Sequence, residues 1–236
     1  MSPARLGGMR LRTVTTCSVA VIAINVCSAS DALSVATPAV IASRPTLSVE
    51  GSVRSDVNTD LLALSYDDRA GTLEFTLNNW ANANYSYSEA TLLRPGTTVS
   101  VLVGSGSAST KLAEGQVTEL APNFTDTGTR TITIRAAAVA PQASSGTLQV
   151  VYGRTLAEFY PVLKADGSIS CTGTVSSLGE LVRGMTLQVG GVGSRFGGNY
   201  RVSGTVHSFD STHGMRTTFT ATKPAPKIRA AGPRSG

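Results

Sequence analysis

His207, Asp210 and His213 form the one close cluster of imidazole and carboxylate groups in the chain. Together with Cys171 they contain the donor types that build either a Cys/His nucleophile or a metal site. The local pattern works against convergence. On a β-hairpin, His207 and Phe209 share a face while Asp210 opens the turn, so the donors point apart. The bland alternative is a surface or interface histidine beside a turn-forming Asp210-Ser211-Thr212. No Gly-x-Ser-x-Gly elbow, phosphate-binding Walker loop or His-Glu-x-x-His zinc helix occurs in the context each requires. The glycine-rich stretch Gly190–Gly198 lacks both the spacing and the following helix of a dinucleotide site and reads as a loop. The sequence therefore predicts no catalytic residues, no cofactor and no bound metal.

A second candidate chemistry is stacking on a ligand. Trp80, Tyr85 and Tyr87 lie in or beside the run Asn79-Trp80-Ala81-Asn82-Ala83-Asn84-Tyr85. Aromatic loops of this kind bind sugars, although a core Trp at a strand end is the commoner arrangement. Polyanion binding is disfavoured by where the charge sits. The net charge of +5 comes from the ends. Arg5, Arg10 and Arg12 oppose only Asp31 in residues 1–34, and Lys223, Lys227, Arg229 and Arg234 face no acid in 223–236. The body between is near neutral, whereas phosphate affinity needs a concentrated basic face. No nucleic acid is expected as a partner.

The elements that must position these residues are β-strands. Helix formers are sparse, glycine supplies 24 residues, and Thr, Ser and Val are abundant. From Pro45 onward, short runs with period-two alternation are divided by Gly, Asn, Asp and Ser. They place strands at Thr46–Val53, Leu61–Tyr66, Thr72–Leu77, Thr98–Val103, Lys111–Leu120, Arg130–Ala137 and Thr147–Tyr152. Turns fall at Asp67–Gly71, Pro95-Gly96 and Asp126–Gly128. Leu156, Phe159 and Leu163 have partial helical spacing, which Pro161 limits to one or two turns, so a short turn-like segment is expected there.

Residues 1–34 do not resemble the body. Basic residues, an apolar run from Cys17 to Val26 and the small residues Cys27–Ser30 imitate a secretory signal, but the run is broken by Thr and Asn and is too short to span a membrane. The alternative, and the preferred one, is a translation start near Val35. Three cysteines, Cys17, Cys27 and Cys171, cannot form a disulfide framework, which fits a reducing compartment.

Two segments share one order of landmarks. In the first, Pro95-Gly96-Thr97-Thr98-Val99-Ser100-Val101 leads to Gly115-Gln116-Val117, Phe124 and Gly128-Thr129-Arg130-Thr131. In the second, Arg183-Gly184-Met185-Thr186-Leu187-Gln188-Val189 leads to Gly204-Thr205-Val206, Phe209 and Gly214-Met215-Arg216-Thr217. Chance likeness between hairpins is the alternative; the shared Gly-x-Arg-Thr after a Phe favours duplication.

These stretches resemble a known family, the baseplate hub proteins of contractile phage tails (late control gene D proteins), and the related VgrG-type hubs of type VI secretion and other contractile injection systems. The resemblance rests on Pro45–Gly51, Leu61-Leu62, Gly96 through Thr118, Tyr152–Leu156 with Phe159 and Pro161, and above all Gly190–Val202 running into Val206–Asp210 and Gly214–Phe219. It implies an all-β fold of two related barrel-like domains joined by a short linker. The divisions are an N-terminal extension (1–43), a first hub barrel (44–139), a linker (140–147), a second hub barrel (148–222) and a basic tail (223–236). The chain is shorter than typical hubs, which carry further material between the barrels.

The resemblance further implies a structural protein, not an enzyme. It would be a homotrimer that joins a six-fold tail tube protein to a trimeric spike protein, assembled in the cytoplasm and carried in a virion tail or injection-system baseplate, with no stable membrane insertion. A secreted β-sandwich module that binds carbohydrate is the alternative. Candidate interface residues are Arg195 and Phe196, which are an anchor or simply a satisfied turn, and Gly104, Ser105 and Gly106, which are a tube- or lumen-facing tip or an idle turn.

Overall fold

The computed structural model describes residues 44–81, 84–104, 109–139, 146–176 and 179–226. The expected N-terminal extension, Ser105 and Gly106, most of the linker and residues 227–236 fall outside the described residues.

The protein is all-β. Its first part runs β1 (Thr46–Val49), β2 (Ser52–Val53), a helical turn α1 (Ser55–Asp60), β3 (Leu61–Asp67), β4 (Thr72–Asn78), the small ladder β5 (Trp80–Ala81) with β6 (Asn84–Tyr85), then β7 (Thr98–Val103), β8 (Thr110–Asn123) and β9 (Thr131–Val139). The second part runs β10 (Thr147–Val151), β11 (Leu156–Leu163), β12 (Ile169–Ser176), β13 (Thr186–Gly190), a single turn α2 (Gly193–Phe196), β14 (Gly198–Asp210) and β15 (Gly214–Lys223). Alternation sets which face is buried. Along β9, Ile132, Ile134, Ala136 and Ala138 point into the core, while Arg135 faces water between Glu74 and Glu119. These exposed ion pairs add little stability; the buried face carries it.

Two units of identical strand order make up one curled sheet. The first is ordered β1-β7-β8-β9-β4-β3 and the second β10-β13-β14-β15-β12-β11. They differ in one orientation: β1 runs antiparallel to β7, whereas β10 runs parallel to β13. The units join where β14 pairs with β3. Each has its own apolar core, one around Leu73, Phe75 and Ile134, the other around Leu187, Tyr200 and Phe219. Phe209 and Met215, from the second unit, pack into the first core.

Hydrogen bonds establish the equivalence residue by residue. Gly96 and Gly184, with φ of 92° and 91°, donate their N–H groups to Val117 O (2.8 Å) and Val202 O (2.9 Å). Val117 N–H returns to Thr97 O and Val202 N–H to Met185 O. After each Val the ladder bulges, and the bulged Thr118 and Ser203 donate their hydroxyls across to Arg135 O (3.2 Å) and Thr220 O (3.1 Å). In the neighbouring hairpins, matching bulges follow Leu61 and Leu156. The duplication is real, but part of the landmark alignment is displaced. Val117 corresponds to Val202 and not to Val206, so Gly115 matches Tyr200 and not Gly204, and Thr131, not Arg130, matches Arg216. The match of Phe124 with Phe209 stands.

Other expectations are corrected. The stretch 46–53 is not one strand: Glu50 and Gly51 take φ of 49° and 77° and turn the chain so that Val49 pairs with Ser52. Leu156–Leu163 is a strand and not a helical turn, because eight residues pair with β12 and the sheet outweighs the weak helical spacing. Pro161 is tolerated because β11 is an edge strand. The Gly190–Gly198 loop encloses the turn α2.

Candidate functional site

Among the described residues, the seam between the two units gathers the buried polar side chains Asp68, Thr205 and His207. Antiparallel pairing of Val206 with Asp67, His207 with Tyr66, Ser208 with Ser65 and Phe209 with Leu64 builds it. Alternation turns Leu64, Tyr66, His207 and Phe209 inward, and all four are buried. At one end the buried Asp68 carboxylate accepts the Thr205 N–H (2.8 Å), the Thr205 hydroxyl (2.7 Å) and the Arg183 N–H (3.1 Å). At the other, the Arg44 guanidinium lies 5.7 Å from the centre of the Phe209 ring. Tyr66 and His207 stack at 6.1 Å.

His207 is fully buried, so it is not a surface histidine, and its Nδ1 shares a hydrogen bond with Thr217 Oγ1 (3.0 Å). Burial pushes its pKa down to about 4, partly opposed by Asp68. The neutral imidazole is thus the folded form, while the unfolded chain takes up a proton near pH 6.5. The stability this provides is complete above pH 6.5 and is lost as pH falls toward 4. The unfolding free energy of the wild type in urea titrations should therefore fall with pH across that window more than that of His207→Gln, by on the order of 3 kcal/mol.

The equivalence of the units exposes two edges with no counterpart of this seam. Among the described residues, β8 beyond Gln116 pairs only with β9, and the outer edge of β11 has no partner strand. On β11 the residues equivalent to Leu64, Tyr66 and Asp68 are Phe159, Pro161 and Leu163. On β8 and just beyond it, Leu120, Pro122 and Phe124 correspond to Thr205, His207 and Phe209. Phe124 is 62% exposed where Phe209 is 6%, and Leu163 is 49% exposed where Asp68 is 8%.

No family model matches the chain, and no curated protein matches it in sequence. Solved structures do match. The 43 kDa tail protein of prophage MuSo2 from Shewanella oneidensis superimposes with a TM-score of 0.52 at 8% identity, covering 76% of this chain and 98% of that one. The tail protein from Neisseria meningitidis MC58 gives 0.51 at 7% identity over 77% and 96%. The fold is similar to that of phage tail proteins. A third structure, an Escherichia coli component of the type VI secretion system described as similar to bacteriophage T4 tail proteins gp27 and gp5, covers 80% and 79% at 12% identity with a TM-score of 0.46.

Within this tail-protein fold the residues singled out from sequence are scattered. Cys171 is buried in the second core with its thiol pushed up to about 11 by burial, and His207 sits in the seam. Asp210 and His213 pair with each other on an exposed turn (3.0 Å). Among the described residues, no three His, Cys, Asp or Glu side chains are grouped to hold a metal ion. Arg195 is exposed on α2. Phe196 packs against the second core, its carbonyl accepting the Tyr200 hydroxyl (2.6 Å), and Lys223 ties the same turn by donating to Gly197 O (2.5 Å). Gly104 is exposed with φ of 108°.

Of the three aromatics, Tyr87 is buried and donates to Asp60 (2.7 Å), and one face of Trp80 is covered by the Arg130 guanidinium at 3.9 Å. No helix among the described residues is long and apolar enough to cross a membrane. Asp68 was missed from sequence because it reads as a turn residue; the open edges were missed because an unpaired edge is a property of topology.

Proposed function

We propose that the protein is a structural component of a contractile phage tail or a related injection system and not an enzyme. It acts as a homotrimeric hub ring that joins a six-fold tail tube to a trimeric spike, and it is assembled in the cytoplasm before incorporation. The observation that carries this reading is the internal duplication. One chain supplies two units of identical strand order, so three chains supply six near-equivalent units. Such a ring presents six similar surfaces to a tube and three identical ones to a spike, and closed symmetry ends the assembly. The fold shared with phage tail proteins agrees with it.

Light scattering on the full chain, over a range of concentrations and with the trimeric spike protein of the same tail added, tests the proposal. A mass of three chains, alone or once spike is present, is expected. A monomer at every concentration that ignores the spike would overturn it.

A further inference from the structure

Resting on the hub reading, we propose that copies of this chain join head to tail along one seam, with the outer edge of β11 in one copy laid antiparallel on the free edge of β8 and the residues just beyond it in the next. The template is the seam already present inside each chain. There, β3 of the first unit covers the far part of β14 in the second. β11 is the equivalent of β3, and β8 is the equivalent of β14. Among the described residues, both are left open in a single copy.

Transferring the internal register residue by residue sets Ala121 opposite Val162, Pro122 opposite Pro161, Asn123 opposite Tyr160 and Phe124 opposite Phe159. The inward positions along this pairing are Leu120, Pro122 and Phe124 on one side and Phe159, Pro161 and Leu163 on the other. All six are apolar, on strand edges that water would otherwise reach. Exposed edges in stable monomers are kept short, charged, covered or broken by proline; these two carry proline, yet none of their inward positions is charged. Leu120 and Phe159 already pack against the first and second cores, so the seam would continue both barrel interiors across the contact. Phe124 would be covered as Phe209 is.

The prolines give the seam its character. Asp68 N–H bonds to Thr205 O, so by alternation Tyr66 and His207 form a hydrogen-bonding pair. Their equivalents, Pro161 and Pro122, have no N–H to give. The seam between copies therefore lacks backbone hydrogen bonds that the internal seam has, and it leans on apolar contact. Prolines on both edges also discourage pairing with unrelated strands. Because β8 and β11 are different surfaces, the contact is heterologous; it closes a ring or runs on as a filament, and it does not stop at a two-fold dimer.

Asn123 and Tyr160 form a non-hydrogen-bonded pair on the outer face, where the Cβ atoms approach about 4.5–5.5 Å. In a background with Cys17→Ser and Cys27→Ser, separately tagged Asn123→Cys and Tyr160→Cys full-length chains are mixed and oxidised. A disulfide carrying both tags is expected, with several-fold less from Asn123→Cys mixed with Val162→Cys, which is two residues out of register. Phe124→Ser combined with Leu163→Ser should weaken self-association at least tenfold in light scattering while the chain keeps one cooperative urea transition, its midpoint lowered only by the lost edge-to-face contact of Phe124 with Tyr85 (5.0 Å) and by the lost association itself.

A protein that is trimeric but yields no Asn123–Tyr160 disulfide, or whose association ignores Phe124 and Leu163, would overturn the seam and leave the hub reading standing. A protein that never associates would overturn both.

Discussion

Gly115→Ala should be among the most damaging single-methyl changes in this chain, costing about 3 kcal/mol or more in urea unfolding. Gly115 lies in β8 opposite Ala138 of β9. A Cβ placed there would fall within 2.5 Å of Ala138 Cα and closer still to the Ala137 carbonyl oxygen. Both obstacles are backbone atoms of a paired strand, so relief requires moving the ladder that also carries Ile132 and Ile134 into the core. Gly204→Ala is the informative contrast. A Cβ on Gly204 would meet the Arg69 side chain, with Cγ at 2.6 Å. That side chain is flexible and can swing into solvent, so a loss below about 1 kcal/mol is expected. Equal losses at the two sites would refute the view that backbone contact, and not glycine as such, sets the cost.

The same pair of glycines shows where sequence reading reached and where it stopped. The strands at Leu73–Leu77 and Thr131–Ile134 were legible because one buried face imposes period-two alternation, and the turns at Gly71 and Gly96 because a left-handed φ needs glycine. The duplication was legible in outline for the same reason. Its residue-level register was not, because a bulge inserts a residue without a sequence mark and shifts the phase of everything after it. Gly115 and Gly204 share a Gly-x-Val pattern, yet one precedes the bulge and the other follows it.

Leu156–Leu163 was misread because its apolar spacing satisfies a helix locally, while the decision lay with β12. His207 read equally as a surface or an interface residue because the strand that buries it, β3, is remote in sequence. Asp68 is the extreme case: its partner Thr205 lies 137 residues away.

Removing that carboxylate should have the largest effect of any polar substitution in the chain. Asp68→Ala leaves the buried Thr205 N–H and hydroxyl, and the part-buried Arg183 N–H, without their acceptor. Each stranded donor costs its own desolvation, and the hydroxyl can rotate to find relief where the two amides cannot. A loss of roughly 3–5 kcal/mol is expected. Asp68→Asn separates charge from geometry. The amide oxygen can still accept the Thr205 N–H, and the amide N–H can donate to the turned hydroxyl, so only the Arg183 N–H is stranded, at about 1–2 kcal/mol.

Because Asp68 belongs to the first unit and Thr205 and Arg183 to the second, the loss should fall on the coupling between them. Urea unfolding followed at Trp80, which reports the first unit, and at a probe placed on the exposed Arg195 in the second should give one shared midpoint for the wild type. In Asp68→Ala the midpoints should separate. Coincident transitions in that variant would mean that the pairing of β3 with β14 and the packing of Phe209 and Met215 into the first core suffice to hold the two units together, and that the carboxylate serves the turn and not the seam.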